Sequence, residues 1–128
     1  GEMRRKHLRV SVPWPSIVLS PNARVHWAKK RTEVQKARNY AYWETCSRAH
    51  GERAVPLRRI EYKCSFYPPT RRQRDEDNLI ASLKPTLDGI ADALRVNDCT
   101  FHLLEPHVGE PDRPNGHVDI DLYWTEEH

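Results

Sequence analysis

The residues best suited to chemistry in this sequence lie at positions 74–78, which read Arg-Asp-Glu-Asp-Asn. Asp75 and Asp77 stand two positions apart, so an extended chain would point both carboxylates to the same side. Two carboxylates on one side can bind a single hard divalent cation through oxygen. Asp98 follows Asp77 by 21 residues in a polar turn and is a third candidate ligand if the chain returns to the same end of the molecule. The pattern predicts a carboxylate site for a divalent cation.

Asp75 and Asp77 also have a purely structural interpretation. Aspartate is common at the start of a helix, where its side chain accepts hydrogen bonds from free backbone N–H groups. Arg71, Arg72 and Arg74 stand beside the two acids and would balance their charge. The residues alone leave the metal-binding and the capping interpretations open.

The sequence lacks the motifs of several other chemistries. It has no Gly-rich loop ending in Lys-Ser/Thr and no Gly-x-Ser-x-Gly turn, which argues against P-loop and serine-hydrolase activity. The three cysteines are far apart, and no two of the seven histidines have the spacing of a helical zinc site. We therefore expect no zinc and three reduced thiols, at Cys46, Cys64 and Cys99.

The positions of apolar residues predict the elements that carry these side chains. Alternation predicts strands at 8–12, 60–66, 101–104 and 118–124. A run of helix formers without proline or glycine predicts a helix over about 29–50. Apolar residues at spacings of 4, 4, 3 and 4 predict a second helix with one apolar face: Leu79, Leu83, Leu87, Ile90 and Leu94.

Two segments within this pattern have less regular composition. Pro85 should kink the second helix or mark where its regular part begins. The segment 106–117 contains Pro, Gly and Asn-Gly, which predicts a long hairpin connection. The order is βαβαββ, an α+β fold with a four-stranded mixed or antiparallel sheet and two helices on one face. At 128 residues we expect a single domain over 1–128.

The charge of the chain reverses after Arg74. Residues 1–74 hold 18 Lys and Arg against 5 Asp and Glu, whereas residues 75–128 hold 3 against 13. A basic half is typical of proteins that bind a polyanion such as DNA. Two oppositely charged halves that attract each other in the folded domain are the alternative.

The first half of the predicted basic helix carries five cations: Lys29, Lys30, Arg31, Lys36 and Arg38. These residues predict a surface for backbone phosphates, and a solvated helix face is the alternative. Trp14 and Trp27 precede the helix, where we expect core aromatics rather than platforms for unpaired bases. No apolar stretch is long enough to cross a membrane and no targeting peptide is evident, so we expect a cytoplasmic protein that does not bind membranes.

Taken together, these motifs resemble the RusA-like Holliday-junction resolvases, small phage and prophage endonucleases that cut four-way DNA junctions as dimers with magnesium. The resemblance covers essentially the whole chain. It is carried by the turn Val12-Pro-Trp-Pro15, the basic helix, a strand ending in proline, and Arg74-Asp75-x-Asp77-Asn78-Leu79. Lys84-x3-Asp88 and the acid Asp98 follow, with Asn97 where the family has a second acid.

The resemblance implies a role for each matching residue. Asp75, Asp77 and Asp98 would bind Mg²⁺, with Mn²⁺ as a substitute, and Arg74 and Lys84 would be cations needed for cleavage. Arg71 and Arg72 are further expected DNA contacts, in addition to the cations of the basic helix. The implied protein is a homodimeric endodeoxyribonuclease that resolves branched DNA in recombination and repair. An inactive DNA-binding or phage structural protein of the same fold, or a nuclease of broader flap or single-strand specificity, remains an alternative.

Overall fold

The structure of the chain is a computed structural model that describes residues 3–49, 59–72, 74–97 and 100–127. Five strands and three α-helices occur in these ranges, in the order β1 (Met3–Pro13), α1 (Trp27–Ala49), β2 (Ile60–Tyr67), α2 (Glu76–Ser82), α3 (Lys84–Leu94), β3 (Phe101–Leu103), β4 (His107–Val108) and β5 (His117–Glu127). A short 3-10 helix, Ile17–Leu19, lies between β1 and α1.

The strands form one mixed sheet. Strand β5 lies between β1 and β2 and is antiparallel to both. Strands β3 and β4 are parallel to β2 and pair with different parts of its other edge. The chain after β2 therefore passes through α2 and α3 before it returns to the sheet, the usual connection between parallel strands.

The expected α+β class is confirmed, but the expected numbers of elements are wrong in the described ranges. Strand β4 is a fifth strand of two residues, too short to show alternation in the sequence. The predicted second helix is divided at Leu83 into α2 and α3, and Pro85 stands in the first turn of α3, where its missing N–H costs nothing.

The prediction of a long hairpin for 106–117 is wrong. Strand β4 lies within this segment, and β4 and β5 lie on opposite sides of β2. The turn residues are therefore used to carry the chain from one edge of β2 to the other.

One face of the sheet packs against the helices. Alternate residues of β1, β2 and β5 belong to a hydrophobic cluster that also contains the predicted apolar face of the second helix, at Leu83, Leu87, Ile90 and Leu94. The cluster includes Cys64, whose burial raises the pKa of its thiol to about 12. Cys46 and Cys64 are free cysteines, as expected, and Cys99 lies outside the described residues.

Candidate active site

The two predicted metal ligands Asp75 and Asp77 lie at the start of α2, and both are exposed. Asp75 Oδ1 accepts hydrogen bonds from the backbone N–H groups of Asp77 (2.9 Å) and Asn78 (3.4 Å). The capping interpretation is thus confirmed for Asp75. Capping uses one oxygen of the carboxylate, so it is compatible with a second role for the other oxygen.

Arg74 forms hydrogen bonds with the loop that precedes Asp75 and Asp77. Its Nη1 donates to the carbonyl oxygens of Thr70 (3.0 Å) and Arg72 (2.7 Å), and its Nη2 donates to Oγ1 of Thr70 (2.9 Å). The guanidinium carbon also lies 5.2 Å from the ring centroid of Trp14, a cation–π distance. Partial burial, followed by the charge of Arg72, lowers the pKa of Arg74. Arg74 therefore fixes the loop beside the acids and contributes positive charge there.

Two clefts meet at Arg74 and Trp14. The first, of about 520 Å³, is lined by Asp75 and Asn78 together with Arg72 and Arg74. The second, of about 510 Å³, adds Arg71, whose Nη2 donates to Oε2 of Glu110 (3.2 Å). These clefts place cationic side chains next to an acidic one, as a site for a phosphate and a metal ion requires.

Lys84 lies apart from this arrangement. Its Nζ donates to Oδ1 of Asp88 (3.0 Å) one turn along α3, so the two residues of the Lys-x3-Asp motif do share a helix face. Lys84 lines a separate cleft of about 360 Å³ with Arg38, Asp92 and Asn97, and Asp75 is not part of that cleft. The break at Leu83 ends the continuous helix that would have carried Asp77 and Lys84 on one face.

Asp98, the third predicted metal ligand, lies outside the described residues. Within the ranges that are described, no three His, Cys, Asp or Glu side chains form a group that could bind a metal ion. Asp77 lies in the first turn of α2 rather than in an extended chain, and of the two acids only Asp75 lines one of the arginine-lined clefts. The prediction that both carboxylates point to one side rested on an extended chain, which Asp77 does not adopt. A carboxylate such as Asp75 fits Mg²⁺, which is commonly held by one or two carboxylates and keeps several waters.

The predicted DNA-binding cations of α1 differ in their exposure and in their ion pairs. Lys29, Lys30 and Arg31 are exposed in the first two turns. Arg38 instead donates through Nε (2.9 Å) and Nη2 (2.6 Å) to Oδ2 of Asp92 on α3, and this contact raises the pKa of Arg38. Arg38 is therefore mainly a link between α1 and α3, and the first three cations are the better candidates for phosphate contacts.

The expectation that both early tryptophans are core residues is wrong for Trp27. Its side chain is 68% exposed at the start of α1. Trp14 is half-buried, with its ring edge against Phe66 at a centroid distance of 6.0 Å. The sequence did not indicate that Trp14 would line the clefts beside Asp75, because its neighbours there come from a loop about 60 residues further along the chain.

The fold and these side chains define an α+β protein whose mixed sheet is covered by helices on one face and whose acidic helix start lies beside arginine-lined clefts. No family model matches the chain. It is 43% identical over 116 residues to a protein of Xylella fastidiosa (strain Temecula1 / ATCC 700964) described as "Uncharacterized protein", covering 88% of this chain and 74% of the relative. The chain belongs to the same family as that protein.

A solved structure, thiamine-monophosphate kinase from Stenotrophomonas maltophilia K279a, is similar at 13% identity and a TM-score of 0.36. The match covers 95% of this chain and spans only 31% of the kinase chain. This similarity is too low to inform the fold or the activity.

In the described parts of the chain, no helix combines the length and the apolar character needed to cross a membrane.

Proposed function

We propose that this protein is a magnesium-dependent endodeoxyribonuclease with a RusA-like fold that resolves four-way DNA junctions in the cytoplasm, in recombination and repair. The observation that carries the proposal is Asp75 at the start of α2, which lines a cleft together with Arg72 and Arg74. Asp77 follows two residues later, in the first turn of the same helix. The sequence resemblance supplies the substrate class, and the exposed cations of α1 support an interaction with DNA.

In the proposed reaction, Asp75 and Asp77 would hold the metal ion, together with Asp98. Mg²⁺ at this place would supply a water-derived nucleophile and would neutralise charge on the phosphate. Arg72 lines the same cleft as Asp75 and would stabilise negative charge that develops on the phosphate oxygens. Arg74 positions this loop through its bonds to Thr70 and Arg72.

The role proposed for Lys84 is less direct, because Lys84 lines a different cleft from Asp75. Its side chain is exposed and paired with Asp88, so it would have to leave that ion pair to approach a phosphate. An exposed ion pair of this kind contributes at most about 1 kcal/mol, so the contact with Asp88 by itself restrains Lys84 only weakly.

A homodimer is part of the proposal because a four-way junction has two symmetry-related strands to cut. A two-fold dimer presents one site to each strand. The dimer would therefore place two copies of α2 at equivalent positions on the junction.

The test is cleavage of a synthetic four-way junction in Mg²⁺ by the wild type and by Asp75→Asn. Asparagine caps a helix about as well as aspartate, so this variant keeps the fold of α2 and removes one ligand charge. We expect the loss of several kcal/mol of stabilisation of the transition state, which corresponds to a rate at least roughly 100-fold lower. Asp77→Asn should behave in the same way.

Glu105→Gln is the matched control, since it removes one exposed carboxylate from the connection between β3 and β4. It should cut like the wild type. A wild-type protein that binds the junction without cutting it would replace the proposal with a DNA-binding or structural role. Equal rates on junction, flap and linear duplex would instead indicate a nuclease of broader specificity.

A further inference from the structure

We propose that an apolar cavity between the end of β1 and α1 binds a single unstacked nucleobase of the DNA strand held at the candidate active site. The cavity has a volume of about 250 Å³. The inference rests on the proposed function for the nature of the ligand, and it adds a base-binding site that neither the resemblance nor the comparisons assign.

The lining of the cavity favours a flat aromatic ligand. Trp14 comes from the turn after β1 and Tyr40 from α1, and most of the remaining lining is apolar. Stacking of a base on an aromatic side chain contributes about 1–3 kcal/mol and tolerates any base. The volume is below the roughly 300–1,000 Å³ of sites for drug-sized ligands, so it suits one ring system.

Two charged residues in the lining can contact the edge of such a base. Glu33 offers an acceptor and Lys36 a donor, and their charged atoms are 3.7 Å apart. Base edges present both donors and acceptors, so this pair complements them. The pair also gives the otherwise apolar cavity a way to prefer one base over another.

The cavity adjoins the cleft of the candidate site. Trp14, Pro15 and Ser16 line both the cavity and the cleft that contains Asp75, Asn78 and Arg74. A strand whose phosphates lie against the arginines of the cleft is therefore within reach of the cavity with an adjacent base. This shared wall distinguishes the cavity from an isolated packing defect.

Tyr40 is an aromatic residue of the cavity lining that the hydrophobic core does not bury. Its side chain is 49% exposed, and it is not part of the hydrophobic cluster. Trp43, one turn further along α1, is 69% exposed and does not line the cavity. The two residues form a matched pair of exposed aromatics, one at the cavity and one outside it.

The experiment measures binding of four-way junctions to full-length protein carrying Asp75→Asn, so that cleavage does not interfere. A second substitution is then added: Tyr40→Ala to remove the stacking surface, Ala37→Leu to fill the cavity, or Trp43→Ala as the control. We expect Tyr40→Ala and Ala37→Leu to weaken binding roughly 5- to 100-fold, as loss of one stacked base predicts. Trp43→Ala should have no comparable effect.

Junctions with one base removed, scanned along the strand near the crossover, locate the bound base. At one position, base removal should weaken binding to the Asp75→Asn protein but not to the protein that also carries Tyr40→Ala, because both changes delete the same contact. A fluorescent adenine analogue at that position should change its emission on binding, and Ala37→Leu should abolish the change.

The inference is overturned if Tyr40→Ala and Ala37→Leu bind every junction as the Trp43→Ala protein does, or if base removal and Tyr40→Ala have independent effects at every position. Circular dichroism of each variant separates misfolding from loss of the contact, and Ala37→Leu provides a second variant if Tyr40→Ala is unfolded. Binding that depends on Tyr40 in a wild type that never cuts would refute the proposed enzyme and keep the base site. Junction cleavage that Tyr40→Ala and Ala37→Leu leave unchanged would keep the proposed enzyme and refute the base site.

Discussion

Asp121 is buried although it belongs to the sheet face that the helices leave open. Only 3% of the residue is exposed, because Arg9 and His7 of β1 lie against it. Its Oδ1 is 2.9 Å from Nε of Arg9 and 2.6 Å from Nε2 of His7. Burial by itself would raise the pKa of this carboxyl, but these hydrogen bonds and the positive charge lower it below its ordinary value. Asp121 is thus a structural acid, in contrast to the exposed Asp75.

We expect Asp121→Asn to reduce the free energy of unfolding at pH 7 by about 2 kcal/mol, since it weakens hydrogen bonds made to a buried charge. The folded-state pKa is below the ordinary 3.8, so the stabilisation is complete above that pH and is lost as the pH falls through the folded-state value. Denaturant titrations of both proteins between pH 7 and pH 2 measure the effect. A difference in stability that stays constant over this range would contradict it.

Asp92→Asn is the control for this prediction. Asp92 also accepts hydrogen bonds from an arginine, but its side chain is exposed and solvent screens the pair. Its substitution should cost no more than about 1 kcal/mol.

At the level of elements, α1 and α3 pack so closely that only glycine fits at position 89. A Cβ at Gly89 would overlap the carbonyl oxygen of Arg38 and lie 3.1 Å from Cβ of Ala41. The Arg38–Asp92 ion pair links the same two helices. This contact restrains the position of α3, which the turn at Leu83 connects directly to the end of α2.

Gly89→Ala should destabilise the protein by about 1–3 kcal/mol, because two helices would have to separate. In an open helix the same substitution would stabilise by about 1 kcal/mol, so the sign of the change identifies the close contact. The added substitution Ala41→Gly should not restore stability, because the backbone oxygen of Arg38 still blocks the methyl group. Thermal or denaturant unfolding of the two variants measures both effects.

At the level of the whole molecule, the reversal of charge along the chain has two physical consequences. Part of the opposite charge is neutralised inside the folded domain, because cations of the first half form ion pairs with acids of the second, among them Arg9–Asp121, Arg38–Asp92 and Arg71–Glu110. The alternative in which the two halves attract each other therefore accounts for these residues. Lys29, Lys30 and Arg31 form no ion pair within the described ranges, and they are the part of the charge pattern that a polyanion would explain.

Binding of DNA should accordingly depend on salt through these cations. Each phosphate contact that is lost should reduce the slope of log K against log salt concentration by about 0.9. We expect Lys29→Gln with Lys30→Gln to lower the slope by about 1–2 and to weaken binding to all DNA sequences equally. Lys63→Gln, on the open face of the sheet, is the control and should leave the slope unchanged.

Local patterns predicted much of this molecule. Alternation over a few residues located β1, β2 and β5, because a strand places successive side chains on opposite faces whatever it pairs with. The spacing of Leu83, Leu87, Ile90 and Leu94 identified a buried helix face, and Pro85 indicated the break before it. The short strand β4 was not predicted, because two residues are too few to show alternation. These residues form a strand because they pair with the edge of β2.

By itself, then, the sequence determined the α+β class, the long elements and the acidic start of α2, since each depends on residues close together in the chain. Only the tertiary structure decided that Trp14 lines the clefts beside Asp75 and that Lys84 lines a different one. It also decided that Trp27 is exposed and that Asp121 is buried. These outcomes depend on which distant segments pack together. That choice is made by the summed packing of the whole core, and no local pattern of residues contains it.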